Sequence, residues 1–141
     1  MRILIDADGC PVVDITIKVA KANNLECIIL CDTSHYFERE GATTITVSKG
    51  ADSVDFALVN MVNAGDIVVT QDYGLAAMCL ARNAIPISQD GMIYNDNNIG
   101  GLLEQRAMAQ RVRLSGGKLS GPSKRTDEQN IEFAKALSLL V

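Results

Sequence analysis

Short runs of β-branched and aliphatic residues alternate along this chain with stretches whose apolar positions recur at helical spacing. RILID reads as a buried strand. Pro11 suits the first turn of a helix, where its missing N–H costs nothing. VVDITIKVAKA then spaces its apolar residues for a helix ending at Asn23-Asn24. ECIILC is a second strand, and residues 32–41 (DTSHYFEREG) show no clear period. TTITV is a third strand, followed by a helix over DSVDFALVNMVNA that stops at Gly65. DIVVT is a fourth strand, YGLAAMCLARNA another helix and IPIS a short fifth strand. Strands alternating with helices predict an α/β fold: a three-layer α/β/α sandwich around a mostly parallel five-stranded sheet.

Beyond Tyr94 the character changes. NDNNIGGLLEQRAMAQRVRLS reads as an amphipathic helix with a polar N-cap. A flexible glycine- and serine-rich loop follows over about 115–125. Thr126 and Gln129 have the spacing of a capping box. The helix they start, about 127–140, carries an apolar stripe at Ile131, Phe133, Ala134, Leu137 and Leu140 that should dock it on the body. The whole chain, 1–141, reads as one domain.

Composition narrows the class. The chain is 48% hydrophobic and 21% charged, the ordinary globular range. No apolar run approaches the roughly 20 residues of a membrane span, and the N-terminus lacks the pattern of a signal peptide. Cys10, Cys27, Cys31 and Cys79 include no C-x-x-C pair, so reduced core thiols and a cytoplasmic location are expected. The net charge of −4 is uneven. Residues 1–103 balance at −7, whereas residues 104–125 carry Arg106, Arg111, Arg113, Lys118, Lys124 and Arg125 against Glu104 alone. Such a basic segment on an acidic body suits the backbone of a nucleic acid.

The candidate chemistry is carboxylate chemistry. Asp6 and Asp8 close the first strand and Asp72 follows the fourth, each at a carboxyl end, where open α/β sheets place their sites. Asp52 and Asp55 open the helix after the third strand and share one of its faces. If strands one and four are neighbours, four or five carboxylates meet on one rim and repel one another unless a cation joins them. Oxygen-only ligands suit Mg²⁺ or Mn²⁺, and a metal-bound water is a nucleophile for phosphodiester hydrolysis. Asp6, Asp8 and Asp72 are the candidate catalytic residues. Asp66 reads as a turn residue. His35, the only histidine, falls in the segment without clear period.

The runs DADGCPV, GADSVDFALVN, GDIVVTQDYGLAA and GPSKRT resemble the YaiI/YqxD family of bacterial proteins, in order and over essentially the whole chain. That family in turn resembles the PIN-domain nucleases. The resemblance implies a metal-dependent ribonuclease-type site with Asp6 closing strand one, Asp52 or Asp55 on the helix before strand four, and Thr70-Gln71-Asp72 as the T-x-D closing strand four. The glutamate that many PIN domains carry on an early helix has no counterpart, and Asp8 is the residue placed to supply its charge. Lys124 and Arg125 beside the Thr126 cap, with Arg106, Arg111 and Arg113, are the expected grip on RNA. Two alternatives stand beside this reading. One is a catalytically degenerate RNA-binding module on the same fold. The other is a phosphatase, since IDADG resembles the D-x-D-G of haloacid dehalogenases. That mechanism also wants a Ser or Thr ending strand two and a later acidic pair. Strand two ends at Cys31-Asp32-Thr33, and no aspartate pair follows the fourth strand.

Overall fold

The structure, a computed structural model, describes residues 1–33, 38–48, 53–117 and 124–141. His35, Asp52, Lys118 and most of the predicted glycine–serine loop lie outside the described residues. The elements are β1 (Arg2–Asp6), α1 (Val13–Ala22), β2 (Glu26–Asp32), β3 (Thr43–Val47), α2 (Ser53–Met61), β4 (Ile67–Val69), α3 (Tyr73–Ala81), β5 (Ile85–Ile87), α4 (Ile99–Leu114) and α5 (Asp127–Leu140). The five strands form one parallel sheet in the order β3-β2-β1-β4-β5. The chain therefore winds outward from β1 in one direction, then returns and winds outward in the other. The switch point lies between the carboxyl ends of β1 and β4, where such sheets open a crevice.

Alternation along the strands divides the core in two. Ile3 and Ile5 of β1, Ile29 of β2 and Val69 of β4 face one side, against Val13 and Ile17 of α1 and Phe133 and Leu137 of α5. Leu4, Leu30 and Val68 face the other, against Leu58 of α2 and Leu75 and Cys79 of α3. With a period of two, Asp6 belongs to the side of Leu4, and Thr70 to the side of Val68. The register sets Leu4 beside Val68 and Ile5 beside Val69. One step further brings Asp6 and Thr70 together.

Local signals set several boundaries. Asn24 and Asn83, just past α1 and α3, take the left-handed conformation that ends helices. Thr126 caps α5 in a complete capping box with Gln129. Three expectations need correction. Pro11 does not open α1, which begins two residues later at Val13. The buried stripe of α5 is Phe133 and Leu137, flanked by half-buried Ala134, Ala136 and Leu140, while Ile131 is 53% exposed. An offset of two residues from Phe133 turns Ile131 about 200° away from it. Nor does α4 bury an amphipathic stripe. It packs chiefly on α3, and none of its residues is buried. No helix among the described residues is long and apolar enough to cross a membrane.

Asp66 is more than a turn residue. It is 3% exposed and takes the Arg2 backbone N–H at 3.0 Å and the Arg2 guanidinium at 2.9 and 3.2 Å. The Asn63 N–H adds a bond at 2.9 Å. These ties join the amino ends of β1 and β4, opposite to the crevice.

Candidate functional site at the switch point

Thr70 organises the crevice. Its hydroxyl donates to Asp6 Oδ2 at 2.8 Å and accepts the Asp72 N–H at 3.0 Å. Its own carbonyl accepts the Tyr94 hydroxyl at 3.1 Å. One buried side chain thus fixes the two acids that end the central strands. Asp72 is also the N-cap of α3, with Oδ1 accepting the Leu75 N–H at 3.1 Å. The same oxygen takes Arg106 Nη1 at 3.2 Å. The other oxygen of each aspartate enters none of these bonds. Gly74 lies beside this pair. A Cβ there would stand 3.3 Å from Asp72 Oδ1 and 3.6 Å from Arg106 Nη1.

Asp6, Asp72 and Arg106 line an open cleft of about 680 Å³. The end of β1 supplies Asp6 and Asp8. The β4–α3 junction supplies Gln71, Asp72 and Tyr73. The opposite wall is α4, through Gln105, Arg106, Ala109 and Arg113. Arg106 and Arg113 are seven residues apart, two helical turns, and so share a face. Arg111 is turned about 140° from Arg106 and points elsewhere. A smaller cavity of about 50 Å³ adjoins the cleft, with Asp6, Asp8 and Gln71 common to both and Cys10 and Gln89 on its far side.

Burial pushes the Asp6 carboxyl above its ordinary value. The Thr70 hydroxyl pulls it back, and the charges of Asp72 and Asp8 push it up again. Like charge thus adds to the rise at Asp6, behind burial. Burial raises the Cys10 thiol beside the site, and burial first, with the charges of Asp55 and Asp6, pushes Cys79 up to about 12.

The remaining candidates divide. Asp55 lies half-buried in the first turn of α2, outside the described lining of the cleft. Asp52 lies outside the described residues. Arg125 is engaged within the chain. Its guanidinium donates to Asn130 Oδ1 at 2.6 Å, Asp90 Oδ1 at 2.8 Å and the Gln89 carbonyl at 2.5 Å. It thereby ties the start of α5 to the turn after β5. Lys124 beside it is exposed. Thr126 serves as the α5 cap and does not line the cleft. Sequence reasoning missed Gln71, Tyr73 and Gln105. The first two flank Asp72, and the third is adjacent to Arg106, so the acid and the arginine were themselves the available pointers.

No group of three or more His, Cys, Asp or Glu side chains among the described residues is gathered to hold a metal ion. The donors at hand are the carboxylates of Asp6, Asp8 and Asp72, all hard oxygens. That set fits a cation that keeps most of its water, the ordinary habit of Mg²⁺. It does not fit a caged transition metal.

The family model described as "Uncharacterized BCR, YaiI/YqxD family" matches residues 4–141. The chain belongs to the YaiI/YqxD family. A UPF0178 protein of Exiguobacterium sibiricum is 50% identical over 141 residues, covering 100% of this chain and 96% of that protein. A UPF0178 protein of Ruminiclostridium cellulolyticum is 49% identical, covering 100% and 92%. One from Clostridium kluyveri is 45% identical, covering 100% and 93%. No solved structure matches this YaiI/YqxD chain.

Proposed function

We propose that this YaiI/YqxD protein is a Mg²⁺- or Mn²⁺-dependent nuclease that hydrolyses RNA phosphodiesters in the cleft at the β1/β4 switch point. The observation that carries this reading is one cleft with two opposed linings: Asp6, Asp8 and Asp72 on the sheet, Arg106 and Arg113 on α4. Carboxylates alone repel a polyanion. Cationic groups across the cleft hold the backbone while the acids engage a hydrated cation. Asp6 and Asp72 are the residues that would hold that cation, with Asp8 beside them. It would supply an activated water and neutralise charge on the phosphate. Arg106 donates to one oxygen of Asp72; it is the residue that would turn to the phosphate, leaving the Asp72 carboxylate among those that would hold the cation. Four free thiols support a reducing compartment, the cytoplasm.

The test is incubation of mixed single-stranded and structured RNA with Mn²⁺. Cleavage is expected, abolished by EDTA and by Asp6→Asn or Asp72→Asn. Cleavage that survives an Asp6→Asn/Asp72→Asn double variant would overturn the assignment. RNA bound in this cleft but never cut would make it a binding module instead.

A further inference from the structure

Tyr73 is the one aromatic residue among the described lining of the cleft, in a chain with three tyrosines, three phenylalanines and no tryptophan. Apart from Ala109, every other described lining residue is polar or charged. The ring is half-exposed there, so one face is open to a ligand in the cleft.

Its position is fixed. Tyr94 packs against it edge to face, with ring centroids 5.9 Å apart and planes at 63°. Tyr94 is itself 1% exposed and tethered through its hydroxyl to the Thr70 carbonyl. Thr70 also holds Asp6 and Asp72. The ring and the acids are therefore set by the same residue. Tyr73 follows Asp72 directly in sequence, and Arg106 reaches Asp72 at 3.2 Å. Ring, guanidinium and carboxylate all line the same cleft.

We infer that Tyr73 is a stacking platform for an unpaired nucleobase whose phosphate lies against Arg106 and Arg113. A base within a duplex has both faces covered by its neighbours, so this geometry selects single-stranded nucleic acid, where stacking on aromatic side chains is the common mode of capture. The inference rests on the nucleic-acid reading of the cleft and adds which part of the substrate each wall takes.

AMP and ribose 5-phosphate test it, because they carry the same phosphate and differ by the base, and neither contains a diester to cleave. Calorimetric or NMR titration of the wild-type chain should show AMP binding about 5- to 140-fold more tightly, the range for one base–aromatic stack. Tyr73→Phe should keep that ratio, and Tyr73→Leu, which still packs an apolar side chain on Tyr94, should bring it near one. Arg106→Ala should weaken both ligands alike. Equal binding of the two ligands by wild type, or a ratio that survives Tyr73→Leu, overturns the stacking role and leaves the phosphate cleft standing. Binding of neither ligand would bring down the phosphate cleft and the stacking role together.

Discussion

Thr70→Val removes a hydroxyl and keeps the shape of the side chain. Thr70 is 2% exposed, so valine fills the same space without a cavity. Two bonds disappear: the one at 2.8 Å to Asp6 and the one at 3.0 Å from the Asp72 N–H. A bond to a charged acceptor contributes about 1.5–3 kcal/mol and a neutral one about 1 kcal/mol. Asp72 is half-exposed, so water recovers part of the second. The expected loss is about 3 kcal/mol. Unfolding entropy scales at about 2 cal/mol/K per residue, or about 0.3 kcal/mol/K for 141 residues. The melting temperature should therefore fall by about 10 °C. Thr70→Ser is the control. It keeps both bonds and loses a methyl group, at about 1 kcal/mol and about 3 °C. Differential scanning calorimetry in EDTA measures both without a cation to obscure the carboxylates. A valine variant that melts at or above the serine variant would show that the hydroxyl bonds contribute nothing, and the account of how Asp6 and Asp72 are held would fall.

Three further predictions follow from the same reasoning. Asp66→Asn should cost about 3 kcal/mol, because it leaves the half-buried Arg2 guanidinium without its charged partner. Burial acts to raise the Asp66 carboxyl, but the Asn63 N–H and the Arg2 bonds outweigh it and hold it below its ordinary value. Its contribution is thus present above the ordinary carboxylate range and is lost as pH falls through the lowered value; urea titrations at several acid pH values should show that slope in wild type and a shallower one in Asp66→Asn. Gly91→Ala should lose at least about 2 kcal/mol in urea denaturation, since Gly91 has φ +88° and a Cβ there would stand 2.9 Å from the Glu132 carbonyl oxygen of α5. Arg106→Ala/Arg113→Ala should flatten the salt dependence of single-stranded RNA binding by about 1.4 in log–log slope, whereas Arg111→Ala leaves it unchanged; equal effects at all three positions in an anisotropy salt series would show that α4 presents no particular face.

Much of the fold is legible in the residues because it rests on local chemistry. The strands announce themselves as apolar runs too short for helices. Asn24, Asn83 and Thr126 mark helix ends through their own hydrogen bonding and tolerance of the left-handed region. The aspartates of the site are legible for a different reason: a charge closing a buried strand is costly, so Asp6 and Asp72 stand out before any contact is known. Asp66 has the same signature at a strand's start and was misread. Its partner, Arg2, is 64 residues away, and no local pattern reports a bond at that separation.

By itself the sequence determined the alternation of strand and helix, the caps, and the acids at the strand ends, since these depend on interactions within a few residues. Tertiary structure alone decided the strand order that makes β1 and β4 neighbours, and hence that Thr70 joins Asp6 to Asp72. It decided which arginines matter by position. Of a basic segment that looked uniform, Arg106 and Arg113 face the acids, Arg111 faces away, and Arg125 holds the chain together. Net charge along a sequence is a sum, whereas a site depends on direction. Direction here comes from the packing of α4 on α3, which brings an arginine to an aspartate 34 positions earlier in the chain.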